Sequence, residues 1–338
     1  MNKIKWVGIV VLTVVGLLLL TFIAVWWFKP DWYIVFLQRT GMANGVVNSF
    51  EDEYTVADLE RGVRLISGIS YGDQYPNSFL DIYQNTTEEN APTFFYIHGG
   101  GYAWGDKAEG DPNAGEGPEA TQYLQSICTS GYHVVSINYA LAPEYLYPHP
   151  ILQIDQAVQF LQENEDLGID MTHVVFSGGS AGGQLAGQYV NLQTNANYAA
   201  EMGIEASLKP EEVIGVVFNS ALLEPEQFSN TGDLSTDFLF SALKRCYFGS
   251  DKAMLQQANV TAHLSADFPP TYITDGNHAT FNEQAERLDA ALAALSIPHT
   301  FNFYTEVQLG HGYDSFLSDP YGQDNLAKTL EFLLELKK

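Results

Sequence analysis

Between Val174 and Val190 the chain reads Val-Val-Phe-Ser-Gly-Gly-Ser-Ala-Gly-Gly-Gln-Leu-Ala-Gly-Gln-Tyr-Val. The β-branched and aromatic run Val174 to Phe176 predicts a buried strand, and Gln184 to Val190 predicts a helix. Gly178-Gly179-Ser180-Ala181-Gly182 between them matches G-x-S-x-G. A serine on so sharp a strand-to-helix turn has strained backbone angles, and neighbours with a Cβ would collide there. Gly178 and Gly182 therefore support the turn, which presents the Ser180 hydroxyl with a helix N-terminus behind it. An exposed serine of this kind needs a histidine, an acid and donors for an oxyanion.

At 338 residues and 46% hydrophobic, the chain can bury the core of one α/β domain with decoration. The formal charge of −26 excludes nucleic acid as a natural partner, because the phosphate backbone would be repelled. Cys128 and Cys246 are too few for a disulfide framework and match no metal spacing. They read as two separate thiols, with a single bridge as the alternative.

Residues 6 to 28 carry no charge. As a helix of about 1.5 Å per residue this stretch is long enough to cross a bilayer. Lys3 and Lys5 precede it, Lys29 and Pro30 follow, and Trp6, Trp26 and Trp27 stand where interfacial aromatics belong. A cleavable signal peptide would have a shorter apolar region ending in small residues, whereas this one ends Ala24-Val-Trp-Trp-Phe28. The expectation is an uncleaved single-pass signal-anchor, residues 1–29, in the lipid bilayer. Every acidic residue lies beyond Lys29, so the acidic domain is placed outside the cytoplasm. Residues 30–64 are read as a juxtamembrane or lid segment, with Val46, Val47 and Phe50 at helical spacing.

Leu65–Tyr71 and Ser78–Tyr83 predict a hairpin, and Thr93–Ile97 a central strand running into His98-Gly99-Gly100-Gly101. Consecutive glycines after a buried strand present bare N–H groups, so Gly100 and Gly101 are the expected oxyanion donors, completed by the Ala181 N–H. His98 is expected to brace that loop. The acidic, glycine-rich stretch from Asp106 to Pro118 lacks the ligand alternation of an EF-hand and reads as solvated surface. Alternation of strands and helices from here onward implies a mostly parallel sheet covered on both faces.

His98-Gly-Gly-Gly101, Tyr139-Ala-Leu-Ala-Pro-Glu144 with Asp155, and Gly178-Gly-Ser-Ala-Gly-Gly183 resemble the hormone-sensitive-lipase branch of the α/β-hydrolases. That branch includes bacterial esterases and membrane-anchored arylacetamide deacetylase. The resemblance covers roughly residues 65 to 335, and Ala140 departs from it, standing where the family usually has arginine. It implies an α/β-hydrolase domain over 65–338 with a helical lid inserted at about 222–262. It also implies a serine carboxylester hydrolase with no metal or organic cofactor. The lid stretch holds Phe228, Phe238, Leu239, Phe240, Leu243, Tyr247 and Phe248, each of which could serve packing alone.

The family's acid follows the strand Pro269–Thr274, where an ungapped alignment falls on His278, which cannot be the carboxylate. Asp275, at the strand's carboxyl end, is the preferred acid and Glu283 the fallback. His311, in Leu309-Gly-His-Gly-Tyr-Asp314, completes the order Ser180, Asp275, His311 that this fold uses. The expected substrates are short or medium acyl or acetyl esters, small or polymer-borne. A catalytically inactive hydrolase fold used for surface binding or adhesion is the alternative, favoured by the irregular acid position.

Overall fold

The computed structural model describes residues 3–40, 48–88, 90–108 and 117–338. The chain opens with two helices, α1 (Lys3–Phe28) and α2 (Pro30–Arg39), followed by four strands, β1 (Thr55–Leu59), β2 (Val63–Ser70), β3 (Phe79–Asn85) and β4 (Pro92–Ile97). Helix α3 (Gly117–Thr129), β5 (His133–Ile137), α4 (His149–Glu163) and β6 (Asp170–Gly179) follow. Next come α5 (Ala181–Thr194), α6 (Ala196–Met202) and β7 (Val213–Asn219), then α7 (Leu234–Tyr247) and α8 (Lys252–Gln257). The chain closes with β8 (Thr271–Thr274), α9 (Asn282–Ala294), β9 (His299–Asn302) and α10 (Pro320–Leu336).

These strands form one sheet in the order β1-β2-β3-β5-β4-β6-β7-β8-β9. Pairing is antiparallel from β1 to β5 through β3, and parallel from β5 across to β9. The central parallel strands β4, β5 and β7 are buried on both faces, hence their runs of Val, Ile and Phe. On one face α4, α5 and α9 pack Ile154, Leu185 and Leu288 into the larger core. On the other, α3 and α10 pack Leu124 and Phe332, with the Phe332 ring 5.7 Å from that of Tyr272 on β8.

Strand β4 lies beside β6 with Ile97 opposite Gly178. The register puts the glycine loop after β4 next to the serine turn after β6, at the carboxyl edge of the sheet. Ligands of open α/β sheets bind at that edge.

Two features differ from the sequence expectation. Phe50 stands in an exposed bend rather than on a helix, and Val46 and Val47 lie outside the described residues. The sheet begins at Thr55 rather than near residue 65: β1 is an edge strand whose first four side chains are exposed, so it carries no apolar alternation to read. Most of the acidic stretch 106–118 also falls outside the described residues. Cys128 and Cys246 are separate buried thiols, both pushed up to about 12 by burial.

Lys107 pins the edge of the domain. Its Nζ lies 2.9 Å from Asp52 Oδ2 and 3.2 Å from Asp81 Oδ1, and Lys107 and Asp81 are both buried. Removing one partner strands a buried charge, which costs about 3–5 kcal/mol. Lys107→Ala is therefore expected to lower the unfolding free energy by that amount, read as a fall in the urea midpoint. An unchanged midpoint would mean that Asp81 is satisfied by its bond from the Gly68 N–H alone.

Candidate active site

The serine turn is built by close approach. Ser180 adopts φ 52°, ψ −118° between β6 and α5. A Cβ on Gly182 would stand 2.1 Å from the Ile97 carbonyl oxygen, and one on Gly178 would stand 2.3 Å from the Gly182 carbonyl carbon. Both distances are impossible for a side chain, so the two glycines allow strand, turn and glycine loop to touch. The Ser180 N–H donates to the Asn219 carbonyl at 3.0 Å, fixing the turn to β7.

The glycine loop bends through left-handed backbone at Gly100 (φ 93°) and Gly101 (φ 58°). A Cβ on Gly99 would come within 3.4 Å of the Ser180 Cβ. Among the described residues, the N–H groups of Gly100, Gly101 and Ala181 have no hydrogen-bond acceptor. His98 lies behind the loop, fully buried, with Nδ1 2.9 Å from the Gly99 carbonyl and its ring stacked on Tyr139 at 4.3 Å. Burial lowers its pKa to about 4, so the ring is neutral and Nδ1–H donates to that carbonyl. The Tyr139 hydroxyl donates to the carbonyls of His98 and Gly99 at 3.0 and 3.1 Å.

His311 Nε2 is 3.0 Å from Ser180 Oγ. The rings of Phe240 and Phe281 meet the imidazole edge-on at 5.7 and 5.0 Å. This enclosure lowers the pKa of His311 to about 4.

The acid side is less direct. Asp275 sits at the end of β8, 1% exposed. Its Oδ1 accepts the Gly276 N–H at 2.7 Å and the Thr280 hydroxyl at 2.5 Å, while Oδ2 has no partner among the described residues. The group within reach of His311 Nδ1 is the same Thr280 hydroxyl, at 3.0 Å. A hydroxyl has one proton to give and lone pairs to accept with. The consistent assignment has His311 Nδ1–H donating to Thr280 Oγ1 and Thr280 O–H donating to Asp275, leaving Nε2 bare for the serine proton. Burial pushes Asp275 up to about 8, opposed by the bonds from Thr280 and Gly276.

The loop holding these groups is clamped to the histidine loop. The N–H groups of Asn277 and His278 both donate to the Leu309 carbonyl, and Leu309 N–H donates to Asn277 Oδ1. Ala279 takes φ 52°, rare for a residue with a Cβ, and this turns Thr280 back toward His311. Glu283 instead faces solvent and lies 3.6 Å from Arg287. His278 takes part through its backbone N–H, which donates to the Leu309 carbonyl.

Sequence reasoning passed over two residues here. Thr280 is one. The other is Asp314, 2% exposed, which accepts the Ser220 hydroxyl at 2.6 Å and is raised to about 6 by burial. Its place three residues after His311 was the available signal. Asp314 lines the cavity beside Ser180 together with Gly99, Gly100, Asn219, Ser220 and His311. That cavity encloses about 20 Å³. It is roughly the space of one water.

The BD-FAE family profile matches residues 80–292, more than half of the chain, from within β3 to within α9. This chain belongs to the BD-FAE family. It has the α/β-hydrolase fold. The chain is 26% identical to esterase LipI of Mycobacterium tuberculosis over 235 residues, 67% of each protein. It is 24% identical to esterase LipQ of the same organism, over 62% of this chain and 48% of the relative. This BD-FAE chain thus spans about half to two thirds of those relatives. Among solved structures, esterase B from Lactobacillus rhamnosis superposes with a TM-score of 0.68 at 20% identity, covering 90% of this chain and 91% of that one. The thermostable carboxylesterase EstE1, from a metagenomic library, gives a TM-score of 0.65 at 17% identity over 92% and 98%.

Proposed function

We propose that this protein is a serine carboxylester hydrolase working through an acyl-enzyme. Ser180 attacks the ester carbonyl, His311 takes the proton and returns it to the leaving alcohol, and the N–H groups of Gly100, Gly101 and Ala181 hold the oxyanion. Asp275 completes the set through Thr280, while His98 steadies the glycine loop. The observation that carries this reading is the 3.0 Å contact between Ser180 Oγ and His311 Nε2, on a strained turn beside unpaired N–H groups. The curated relatives named as esterases support the same chemistry.

On this reading residues 1–29 anchor the protein in a bilayer, with the catalytic domain on the extracytoplasmic side. Helix α2 and residues 222–262 make the lid, since residues 55–59 and 63–64 belong to the sheet. Helix α7 supplies the cover over the site: Leu243 lies where a Cβ on Gly101 would fall, 2.6 Å from its Cδ1, and Phe240 lies on His311. Phe228, Tyr247 and Phe248 are buried beneath it as packing.

Leu243 against Gly101 and Phe240 against His311 leave little room beside Ser180 and favour an acetyl or similarly short acyl group. Turnover of a p-nitrophenyl ester series is expected to be greatest at acetate to butyrate and to fall steadily from hexanoate to laurate. Equal or rising turnover toward laurate would mean that the cover swings clear during the reaction. No turnover of any member would favour a binding role for the fold.

A further inference from the structure

Helix α1 contains an apolar stretch, Trp6–Phe28, of 23 residues and mean hydropathy 2.9, none of it buried in the protein. Its last turns nevertheless touch the cover helix α7, and Phe22 also meets Tyr33 of the following helix edge-on at 5.9 Å. The Trp26 ring stacks on Phe238 of α7 at 4.3 Å, and its Nε1–H donates to the Phe238 carbonyl at 3.2 Å. About one turn earlier, Phe22 stacks on the same ring at 6.2 Å. Arg245, nearly two turns further along α7, lies over Trp26 and Trp27 at 4.3 and 5.0 Å and donates to the Trp26 carbonyl at 2.8 Å.

Helix α2, which begins two residues after α1 ends, has two unlike faces. Ile34 and Leu37 are buried in the core, and Tyr33 meets Phe238 edge-on at 6.0 Å. On the opposite side Trp32 and Phe36, one turn apart, are 62% and 54% exposed. They continue the exposed Trp27 and Phe28, and Arg39 follows on the same face. At the start of α7, Leu234 is 90% exposed. Apolar side chains in such density, joined to a membrane-length helix, make a surface for the lipid headgroup region rather than for water.

Depth agrees with this. Phe22 precedes the end of the apolar stretch by six residues, which at about 1.5 Å per residue is some 9 Å along the helix. If Trp6–Phe28 crosses the bilayer, Phe238 sits within that depth of the span's end. Interfacial helices enter the headgroup and acyl boundary by about 5–10 Å. The bilayer therefore meets the same helix that carries Phe240 against His311 and Leu243 against Gly101. The back of the glycine loop is tied in as well, since Gln38 of α2 donates to the Ala103 carbonyl at 2.7 Å.

We propose that the outer face of α2 and the amino-terminal end of α7 form a bilayer-docking surface, so that the cover of the active site is held in the membrane interface. The proposal rests on the anchor reading above and commits to lipid as the occupant. It makes the substrate an ester that resides at, or partitions into, that interface. With a formal charge of −26 the chain is repelled by anionic lipid, so docking is apolar and does not need it.

Full-length Leu234→Cys protein, labelled with an environment-sensitive fluorophore and reconstituted in phosphatidylcholine vesicles, tests this. Cys128 and Cys246 are buried, and Leu234 is exposed enough to be replaced without loss of packing. Glu163→Cys, exposed at the far end of α4 where the chain turns toward the start of β6, serves as reference. The label at 234 is expected to shift blue and to be quenched at least threefold more than the reference by lipid carrying a nitroxide near the headgroup. A Trp32→Ser, Phe36→Ser double variant retains α1 and is expected to lose at least half of that quenching. Equal quenching at 234 and 163 would overturn the proposal, and so would quenching at 234 that the double variant leaves intact. None of these readings depends on turnover, so they stand or fall apart from the esterase assignment.

Discussion

Ser180→Ala is expected to abolish ester turnover, with a loss on the order of 10⁶ in kcat where the triad acts as a unit. The fold should survive, because the Ser180 side chain makes its bond to His311 alone, while the turn is held by the backbone: Ser180 N–H to Asn219, and the N–H groups of Gly183 and Leu222 to the Ser180 carbonyl. Binding of a substrate analogue should likewise persist. A variant that keeps even a tenth of wild-type turnover would remove Ser180 from the chemistry.

The second large effect is at Thr280. Valine keeps the shape of threonine but removes the hydroxyl that joins His311 Nδ1 to Asp275. The imidazole then has no acceptor at Nδ1, and the tautomer with its proton on Nε2, which can only donate to Ser180, becomes the stable one. Loss of the productive tautomer costs up to about 10⁴ in a serine triad. Thr280→Val should therefore reduce kcat by roughly 10³, while Thr280→Ser, with the same donor and acceptor, should stay within about tenfold of wild type. A purely structural threonine would show the reverse order, since valine packs better in its place.

The pH profile separates these cases further. His311 must be neutral to accept the serine proton. Burial lowers its pKa to about 4, so kcat/KM should hold down to near pH 5 and fall as the pH drops through the folded value. Thr280→Asp would put a carboxylate directly on Nδ1, favour the charged ring and move that acid limb upward. Asp275, raised to about 8, gains its charge only above that pH. A second rise in rate near pH 8, absent in Asp275→Asn, is the corresponding expectation. One limb in the wild type, or two in Asp275→Asn, would take Asp275 out of the relay.

Parts of this arrangement were legible from residue types alone, because their geometry is local. Gly178 and Gly182 announce a turn that only glycine can make, and the strand before it and helix after it follow from hydrophobic pattern. Three glycines after β4 announce a loop of free N–H groups in the same way. Thr280 was not legible. Its role depends on the clamp between Asn277 and Leu309 and on the positive φ of Ala279, neither of which has a pattern in the string Asn-His-Ala-Thr-Phe. The ring of Trp26 meets Phe238 across 212 residues of sequence, and no periodicity reports a contact of that range. Strand β1 was missed for a simpler reason: an edge strand with exposed side chains carries no apolar signal.

The account stands on Ser180 as a nucleophile that forms a covalent acyl-enzyme. The direct measurement is the intact mass of the full chain after treatment with a small fluorophosphonate, which traps an activated serine. One phosphonyl group per chain is expected, located on the peptide holding Ser180 and absent from Ser180→Ala, with its uptake matching the loss of p-nitrophenyl acetate turnover. An unmodified wild-type mass, or an adduct at another residue that stops turnover equally well, would contradict it.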